Sequence, residues 1–291
     1  MQVMIENDKL SVGSRTAGAE LTSIRLKADG TEYLWQADPK HWNRHAPLLF
    51  PIVGSVANNQ YTYGGRQYTL KNHGFARDSE FDITHESEQA VTYRLASSPK
   101  SLAMYPFRFA LDVSYRLEGS AVVVGYRVEN ADDKEMVFSI GAHPAFNCPI
   151  AAGGTFEDYY LEFEKNETLD RQYVNAANLL IAGKSEPFLR NESIKQLSGG
   201  MFADGAFILD GMQSSAVALK GNKTSKSVTV RFPGFPQLGI WAPPGAPFVC
   251  IEPWYGIAES TDFSGDLTQK KAALRLEPGA EFNSEYRIVL S

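Results

Sequence analysis

Cysteine and histidine are scarce in this sequence, and their scarcity narrows the kinds of site it can build. Its 291 residues include two cysteines, Cys148 and Cys250, and five histidines. Two cysteines cannot form a disulfide framework, so we expect reduced thiols and a cytoplasmic location. The sequence also lacks zinc-ligand spacing, a Gly-rich phosphate loop and a nucleophile elbow. We therefore predict a site that needs no metal.

Basic charge and long apolar runs are also missing. The formal net charge is −6 at pH 7 without any basic cluster, which argues against nucleic acid or an anionic membrane as a partner. The apolar runs are too short to cross a bilayer, and the N-terminal MQVMIENDKL does not resemble a secretory signal. The sequons at Asn166, Asn191 and Asn222 are then chance matches. With 43% apolar and 21% charged residues, the composition is that of a soluble globular protein with a sizeable core.

What the sequence does have is alternation with a period of two residues, which is typical of half-buried β-strands. The runs FALDVSYRLEG (109–119) and AVVVGYRVEN (121–130) meet at Gly119 and predict a hairpin. Helical patterns are confined to 38–45 and 98–105, each long enough for a turn or two. Further strand-like runs are YYLEFE, AVALKG, SVTVRFPG, LGIWAP, PFVCIEPW and EYRIVLS.

Closely spaced strands without crossover helices favour an all-β fold, a large sandwich of mainly antiparallel strands. No internal repeat, low-complexity tract or linker divides the chain. We therefore predict one domain over residues 1–291.

One of the histidines, His143, stands in SIGAHPAFNCPI (139–150), where a strand-like run meets a proline. Pro144 cannot donate a hydrogen bond to a sheet, so the strand must stop or bend there. A side chain at such a point is held by a rigid element and can still face a cavity. That placement suits an acid or a base, but it does not identify a reaction.

The segment VCIEPWYG (249–256) carries a second candidate, Glu252, at the end of an apolar strand and close to Trp254. A carboxylate among aromatic side chains loses solvation, so we expect its pKa to rise toward the range of a general base. The alternative is a solvated glutamate at a strand end. Because burial of Glu without a partner is costly, the functional interpretation has about equal weight. Aromatic rings beside polar groups also suit sugars.

The segment KNHGFARDSEF (71–81) offers His73 and Arg77 around Gly74, which allows a close approach of the backbone. The alternative is a surface loop with an incidental histidine, in which Arg77 pairs with Asp78 or Glu80.

The pair His41 and His45 in HWNRH has the i, i+4 spacing of a metal site, but Trp42 stands where the metalloprotease motif has Glu. No third ligand is evident, so we interpret both as surface histidines. Composition and spacing by themselves thus predict a β-sandwich with a small polar pocket, without naming a reaction.

Three separated stretches, in the right order, resemble one family. They are APLLFPIVGSVANNQYTYGGRQYTLKNHGFARDSEF (46–81), GAHPAFNCPI (141–150) and PFVCIEPWYGIAES (247–260). Together they resemble the aldose 1-epimerase (galactose mutarotase-like) family, and within it the LacX-like branch.

The resemblance implies a β-supersandwich that interconverts the α and β anomers of aldohexoses without a cofactor. In that reaction a glutamate removes the proton of the anomeric hydroxyl and a histidine protonates the ring oxygen, so that the pyranose opens, rotates about C1–C2 and recloses. Carried over residue by residue, it implies Glu252 as the base and His143 as the acid. It casts His73 as a second hydrogen-bond donor to the substrate and, by a weaker match in FILDGM, Asp210 as a substrate-binding residue.

One stretch departs from the family pattern. Galactose mutarotases carry arginines in GRYANRI, and the matching GSVANNQ has Ser55 and Asn59 at the two arginine positions. In this chain Arg77 is the candidate for the missing cation. The identity of the sugar is therefore not fixed, and a hexose 6-phosphate, with Lys71 and Arg44 as further cations, is an alternative substrate. A carbohydrate-binding protein without turnover is an alternative function. The oligomeric state is not indicated.

Overall fold

The structure is a computed structural model that describes residues 1–291, and it consists mostly of β-strands and the turns between them. The strands are β1 (Gln2–Glu6), β2 (Leu10–Arg15), β3 (Glu20–Leu26), β4 (Leu48–Leu49), β5 (Gln60–Tyr63), β6 (Arg66–Thr69), β7 (Asp82–Glu86), β8 (Ala90–Ala96), β9 (Phe109–Glu118), β10 (Ala121–Asn130), β11 (Met136–Phe138), β12 (Ile140–Ala142), β13 (Ala145–Asn147), β14 (Tyr159–Val174), β15 (Leu180–Gln196), β16 (Phe207–Asp210), β17 (Ala216–Gly221), β18 (Ser227–Arg231), β19 (Gln237–Trp241), β20 (Phe248–Tyr255), β21 (Leu274–Leu276) and β22 (Glu281–Leu290).

Helices are few and short. The α-helix α1 spans Pro99–Leu102, and 3-10 helices span Ala57–Asn59, Ala76–Asp78, Phe156–Asp158 and Leu267–Gln269. None of them has the length and apolar character needed to cross a membrane.

The two helical patterns read from the sequence have different outcomes. The 98–105 segment contains α1, whose N-terminus is capped by the side chain of Ser98. The 38–45 segment forms only a single turn, closed by a 3.0 Å hydrogen bond from the Trp42 N–H to the Asp38 carbonyl.

The predicted hairpin between β9 and β10 is confirmed. Glu118 lies opposite Ala121, which leaves Gly119 and Ser120 as a two-residue turn. Gly119 has φ +58°, a left-handed conformation that such turns require and that glycine adopts without a steric cost. The local sequence therefore fixes the register of these two ten-residue strands.

The strands form a 15-stranded sheet, a three-stranded sheet of β1, β2 and β3, and the pairs β5–β6 and β11–β21. All named strand pairs are antiparallel, as the sequence predicts. The order in the large sheet is β4-β12-β20-β19-β16-β14-β17-β18-β22-β10-β9-β8-β7, with β13 also pairing with β20 and β15 with β14.

The main core is a cluster of 66 buried apolar residues that includes side chains from both the large sheet and the three-stranded sheet. Two smaller buried clusters involve β20 through Trp254 and Cys250. Both cysteines, Cys148 and Cys250, are buried and free, as expected from their number. The strand that carries Glu252 is thus buried along almost its whole length.

Candidate active site

His143 and Glu252 face each other because the segments on both sides of His143 pair with β20 in one continuous register. β12 precedes His143 and β13 follows it, with Ala145 opposite Cys250. Pro144 therefore bends the strand without displacing it, and His143 falls opposite Glu252. Nε2 of His143 lies 3.2 Å from Oε2 of Glu252.

This pair is withdrawn from solvent. Glu252 is 1% exposed and His143 is 7% exposed. Burial raises the pKa of Glu252 well above its usual value, because the charged carboxylate is the form that loses hydration. Burial likewise lowers the pKa of His143, and the positive charges of Arg77 and Arg44 lower it further. The expected rise of the Glu252 pKa is therefore present.

The pair also has unused hydrogen-bonding capacity. The 3.2 Å contact is not aligned for a hydrogen bond, so Oε2 of Glu252 has no hydrogen-bond partner in the protein, and Nδ1 of His143 has none either. Buried polar atoms without partners are rare and cost free energy. Both residues line a cavity, and unused hydrogen-bonding capacity at a cavity wall is typical of a site that binds a polar ligand.

Tryptophan side chains enclose His143. The ring of Trp42 stacks on the imidazole with centroids 4.9 Å apart, and Trp241 meets it edge-on at 5.7 Å. A third ring, Trp254, donates its Nε1–H to the Ala142 carbonyl at 3.1 Å. The first two contacts fix the imidazole, and the three rings place apolar surfaces beside the polar pair.

The position of Trp254 depends on two glycines of neighbouring strands. Its ring lies over Gly141 of β12 and Gly239 of β19, and a Cβ at either position would overlap it. Gly239 also lies directly opposite Glu252. Glycine is thus needed on both sides of β20 to lay the ring across the floor of the site.

His73 is held by Gly54 through two hydrogen bonds. Its backbone N–H donates to the Gly54 carbonyl at 2.8 Å, and its Nδ1 accepts from the Gly54 N–H at 3.0 Å. An accepting Nδ1 leaves the proton of a neutral imidazole on Nε2. Burial, followed by the charges of His143 and Arg77, lowers the pKa of His73 well below its usual value. His73 is therefore a neutral donor, with its ring centroid 5.6 Å from that of His143.

Arg77 is half-buried and its guanidinium is only partly used by the protein. One Nη donates to the Asn72 carbonyl at 2.7 Å, and Nε has no partner. Arg77 forms an ion pair with neither Asp78 nor Glu80, and Asp78 pairs with Arg44 at 2.7 Å instead. Asn72 is oriented by a 3.1 Å hydrogen bond from the Ser55 hydroxyl to its Oδ1, which leaves its amide NH₂ free.

These side chains line one cavity of about 200 Å³. Four of the five predicted site residues take part: His143, Glu252, His73 and Arg77. Asp210 does not, because it is exposed at the end of β16 and accepts a 3.1 Å hydrogen bond from Gln237. The other lining residues are Trp42, Gly54, Asn72, Val174, Asn178, Gly205, Ala206, Ile208, Trp241, Trp254 and Ala258.

The HWNRH segment contributes to this cavity in a different way from the one its histidines suggest. His41 and His45 are both half-buried rather than on the surface, and Nδ1 of His45 lies 2.8 Å from the Trp35 carbonyl. The residue between them, Trp42, lines the cavity. Glu20 anchors the segment by accepting the His45 N–H at 2.9 Å.

The chain matches the model of one protein family over nearly its whole length. The family model described as "Aldose 1-epimerase" matches residues 1–289. The plasmid-encoded protein LacX of Lactococcus lactis subsp. lactis is 36% identical over 299 residues, which cover 100% of this chain and 99% of that protein.

Two solved structures share both sequence and fold with this chain. A galactose mutarotase related enzyme from Lactobacillus acidophilus is 34% identical with a TM-score of 0.96, covering 100% of this chain and 97% of that one. A galactose mutarotase-like protein from Lactobacillus casei is 34% identical with a TM-score of 0.94 and covers 100% of both chains. The fold is therefore galactose mutarotase-like, and these matches support a mutarotase-type function and an isomerase-type enzyme. With the family model spanning residues 1–289, this chain belongs to the aldose 1-epimerase family.

Proposed function

We propose that this protein interconverts the α and β anomers of an aldohexose by acid/base opening of the pyranose ring. The observation that carries the proposal is the cross-strand pair of His143 and Glu252, 3.2 Å apart at the wall of a small cavity. Opening a pyranose requires one proton to leave the anomeric hydroxyl and another to reach the ring oxygen. Because both oxygens are bonded to C1, an acid and a base must stand close together, as these two do.

In the proposed mechanism Glu252 is the base and His143 is the acid. Burial favours neutral His143 and protonated Glu252 when no sugar is bound. The productive pair of imidazolium and carboxylate holds the same number of protons. One proton transfer from Glu252 to His143 produces it once a side-chain rotation aligns the two atoms, which lie 3.2 Å apart. Ring opening then returns the pair to its neutral form, as Glu252 takes the hydroxyl proton and His143 protonates the ring oxygen. Reclosure after rotation about C1–C2 runs the same transfers in reverse.

The remaining polar groups of the cavity are proposed to orient the sugar. His73, Arg77 and Asn72 present donors from one segment of the chain, and Trp254 offers an apolar floor. Sugar hydroxyls accept from such donors while the ring packs on the aromatic face. The cavity volume of about 200 Å³ is below the range of about 300–1,000 Å³ typical of larger ligands, which favours a single sugar ring.

A hexose 6-phosphate is the second candidate substrate, and the free Nε of Arg77 is the observation that favours it. A guanidinium binds phosphate through paired N–H groups. Arg44 is less available for this role because it already pairs with Asp78.

The test is the rate of anomer exchange, followed by polarimetry and by NMR, over a panel of free and 6-phosphorylated aldoses. The proposal expects acceleration above the spontaneous rate for at least one sugar, and the preferred member of each free/phosphorylated pair decides between the two candidates. A protein that binds these sugars without accelerating exchange would be a carbohydrate-binding protein instead. The double variant His143→Asn/Glu252→Gln provides the baseline for a cavity without the acid/base pair.

A further inference from the structure

Three buried side chains at the inner wall of the cavity form a set that the proposed reaction uses only in part. They are His143, Cys250 and Glu252, and each offers one ligand atom such that all three atoms lie within 4.8 Å of one another. Cys250 and Glu252 are two residues apart on β20 and so project from the same face. His143 joins them across the sheet from the bend between β12 and β13.

Nitrogen, sulfur and oxygen are the three ligand types that zinc accepts from proteins, whereas Mg²⁺ and Ca²⁺ prefer oxygen alone. The burial of the set is nearly complete: Cys250 is 0% exposed, Glu252 1% and His143 7%. Two of its polar atoms, Oε2 of Glu252 and Nδ1 of His143, have no hydrogen-bond partner in the protein. A cation would give the unpaired carboxylate oxygen a partner in a place where water is largely excluded.

We propose that His143, Cys250 and Glu252 bind Zn²⁺, and that the bound ion inhibits the reaction. His143 and Glu252 line the cavity, so an ion can enter by the substrate's route, and a fourth coordination position stays open toward the cavity. Three protein ligands and one open position are the arrangement of many zinc sites. Zinc–ligand bonds of about 2.0–2.3 Å place tetrahedral ligand atoms roughly 3.3–3.8 Å apart. Nε2 of His143 and Oε2 of Glu252, 3.2 Å apart, already have about this separation.

Binding replaces the protons of the thiol and the carboxyl group, which are released to solvent. The thiolate and the carboxylate then balance the charge of the ion, and His143 coordinates as a neutral imidazole. The ion thereby occupies the groups that would move protons to and from the sugar. Binding follows from the ligand set alone, while inhibition rests on the proposed function.

The first test measures binding without reference to turnover. Protein freed of metal by dialysis against a chelator is titrated with Co²⁺, whose thiolate ligation gives a charge-transfer absorption band, and Zn²⁺ is then added as the competitor. We expect the band to develop at one Co²⁺ per chain and to disappear when Zn²⁺ displaces the cobalt. The variant Cys250→Ser removes the thiolate with the smallest change of shape, and it should lose the band.

The matched control is Cys148→Ser, since Cys148 is the other buried free thiol and is not part of the set; it should keep the band. Glu252→Gln keeps the thiol and should weaken Zn²⁺ binding by at least about tenfold. This variant tests the proposed zinc site if Cys250→Ser does not fold. No band in the wild type, or equal bands in the two cysteine variants, would overturn the proposed site.

Inhibition is measured separately, with each protein's exchange rate in Zn²⁺ compared with its own rate in chelator. We expect Zn²⁺ to slow the wild type and Cys148→Ser at concentrations that leave Cys250→Ser unaffected. Inhibition of all three to the same degree would contradict the assignment. If the wild type shows no exchange activity without metal, the proposed function fails, and the cobalt spectrum still decides the site.

Discussion

Arg77 has hydrogen-bonding capacity that the protein itself does not use. Only one of its donors is engaged, by the Asn72 carbonyl at 2.7 Å, and Nε is buried without a partner. Burial and the neighbouring Arg44 both lower the pKa of Arg77 from its usual value, and an arginine side chain stays charged at neutral pH. A half-buried cation without a carboxylate partner at the cavity wall supports the proposed role of Arg77 in binding substrate.

We predict that Arg77→Ala raises KM by about 10- to 100-fold, which corresponds to about 1.5–3 kcal/mol for lost charge-assisted hydrogen bonds. The fall in kcat should be smaller, since the acid/base pair stays in place. Steady-state kinetics on the preferred aldose measure both. The matched control is Arg44→Ala, which breaks an exposed pair with Asp78 and should change KM by less than about fivefold. Equal effects of the two substitutions would remove Arg77 from the binding site.

Most of the predicted site residues that line the cavity could be identified from the sequence alone. His143 and Glu252 could be singled out because a histidine before a proline and a glutamate between an apolar strand and a tryptophan are unusual placements. The sequence does not show in the same way whether Asp210 reaches the cavity. It lies two residues beyond the cavity-lining Ile208 on β16, and only the register of the sheet, which the sequence does not encode locally, decides which of the two reaches the cavity.

The geometry of the site depends on the close approach of three strands, β12, β20 and β19, around the side chain of Trp254. Gly239 has no side chain to hold Trp254 away, and the ring fills the space that a Cβ would need. Because the φ of Gly239 is not in the left-handed region, a substitution there acts through steric overlap and not through backbone strain.

We predict that Gly239→Ala lowers kcat by at least about tenfold and destabilises the protein by about 1–3 kcal/mol, the usual cost of overpacking. The control is Gly200→Ala, at a glycine whose added Cβ would meet no atom within 4 Å and whose φ is also not in the left-handed region; it should leave both quantities unchanged. Melting temperature and kcat of the two purified variants are the measurements. A neutral Gly239→Ala would show that Trp254 can move without affecting the site.

The strands flanking the site were predicted well, and the long hairpin of β14 and β15 was not. Only the run YYLEFE at the start of β14 shows clear alternation; the hairpin then extends to residue 196 through largely polar sequence. β15 pairs with β14 alone and has several register shifts along it. A strand with so little burial does not show a regular apolar face. The sequence therefore does not predict the part of the cavity that Val174 and Asn178 line.

The buried side chain of Lys270 makes the free energy of unfolding of the protein depend on pH. Lys270 is 6% exposed and donates to the Ile257 carbonyl. Burial lowers its pKa from 10.5 to about 8, although the charge of Glu259 acts in the opposite direction. Below pH 8 both the folded and the unfolded chain carry this proton. Between about 8 and 10.5 the folded chain has lost it while the unfolded chain keeps it, so the free energy of unfolding rises with pH in this window.

We predict that Lys270→Met removes this contribution. The difference in unfolding free energy between wild type and variant should grow in favour of the wild type by about 3 kcal/mol from pH 8 to pH 10.5. Urea unfolding of both proteins at several pH values gives this difference. A difference that stays constant over the window would show that Lys270 does not lose its proton in the folded state.

We also expect residues 1–291 to unfold as one cooperative unit. Three of the four tryptophans line the cavity, and Trp35 lies in the buried cluster on which Trp42 and Trp241 pack. Their fluorescence therefore reports on the region of the site, whereas far-UV circular dichroism reports on all the sheets. Coincident urea transitions by tryptophan fluorescence and circular dichroism are the expected result. Separate transitions would divide the chain into independent units.

Whether Glu252 is the base is decided by kcat for Glu252→Gln, determined by NMR exchange between anomers at saturating aldose. Glutamine matches the neutral, protonated form that burial favours, so the melting temperature should stay close to that of the wild type and KM should change little. Loss of the base should lower kcat by at least about 100-fold, the usual scale of general-base catalysis. A folded Glu252→Gln protein with kcat near that of the wild type would contradict the assignment of Glu252 as the base.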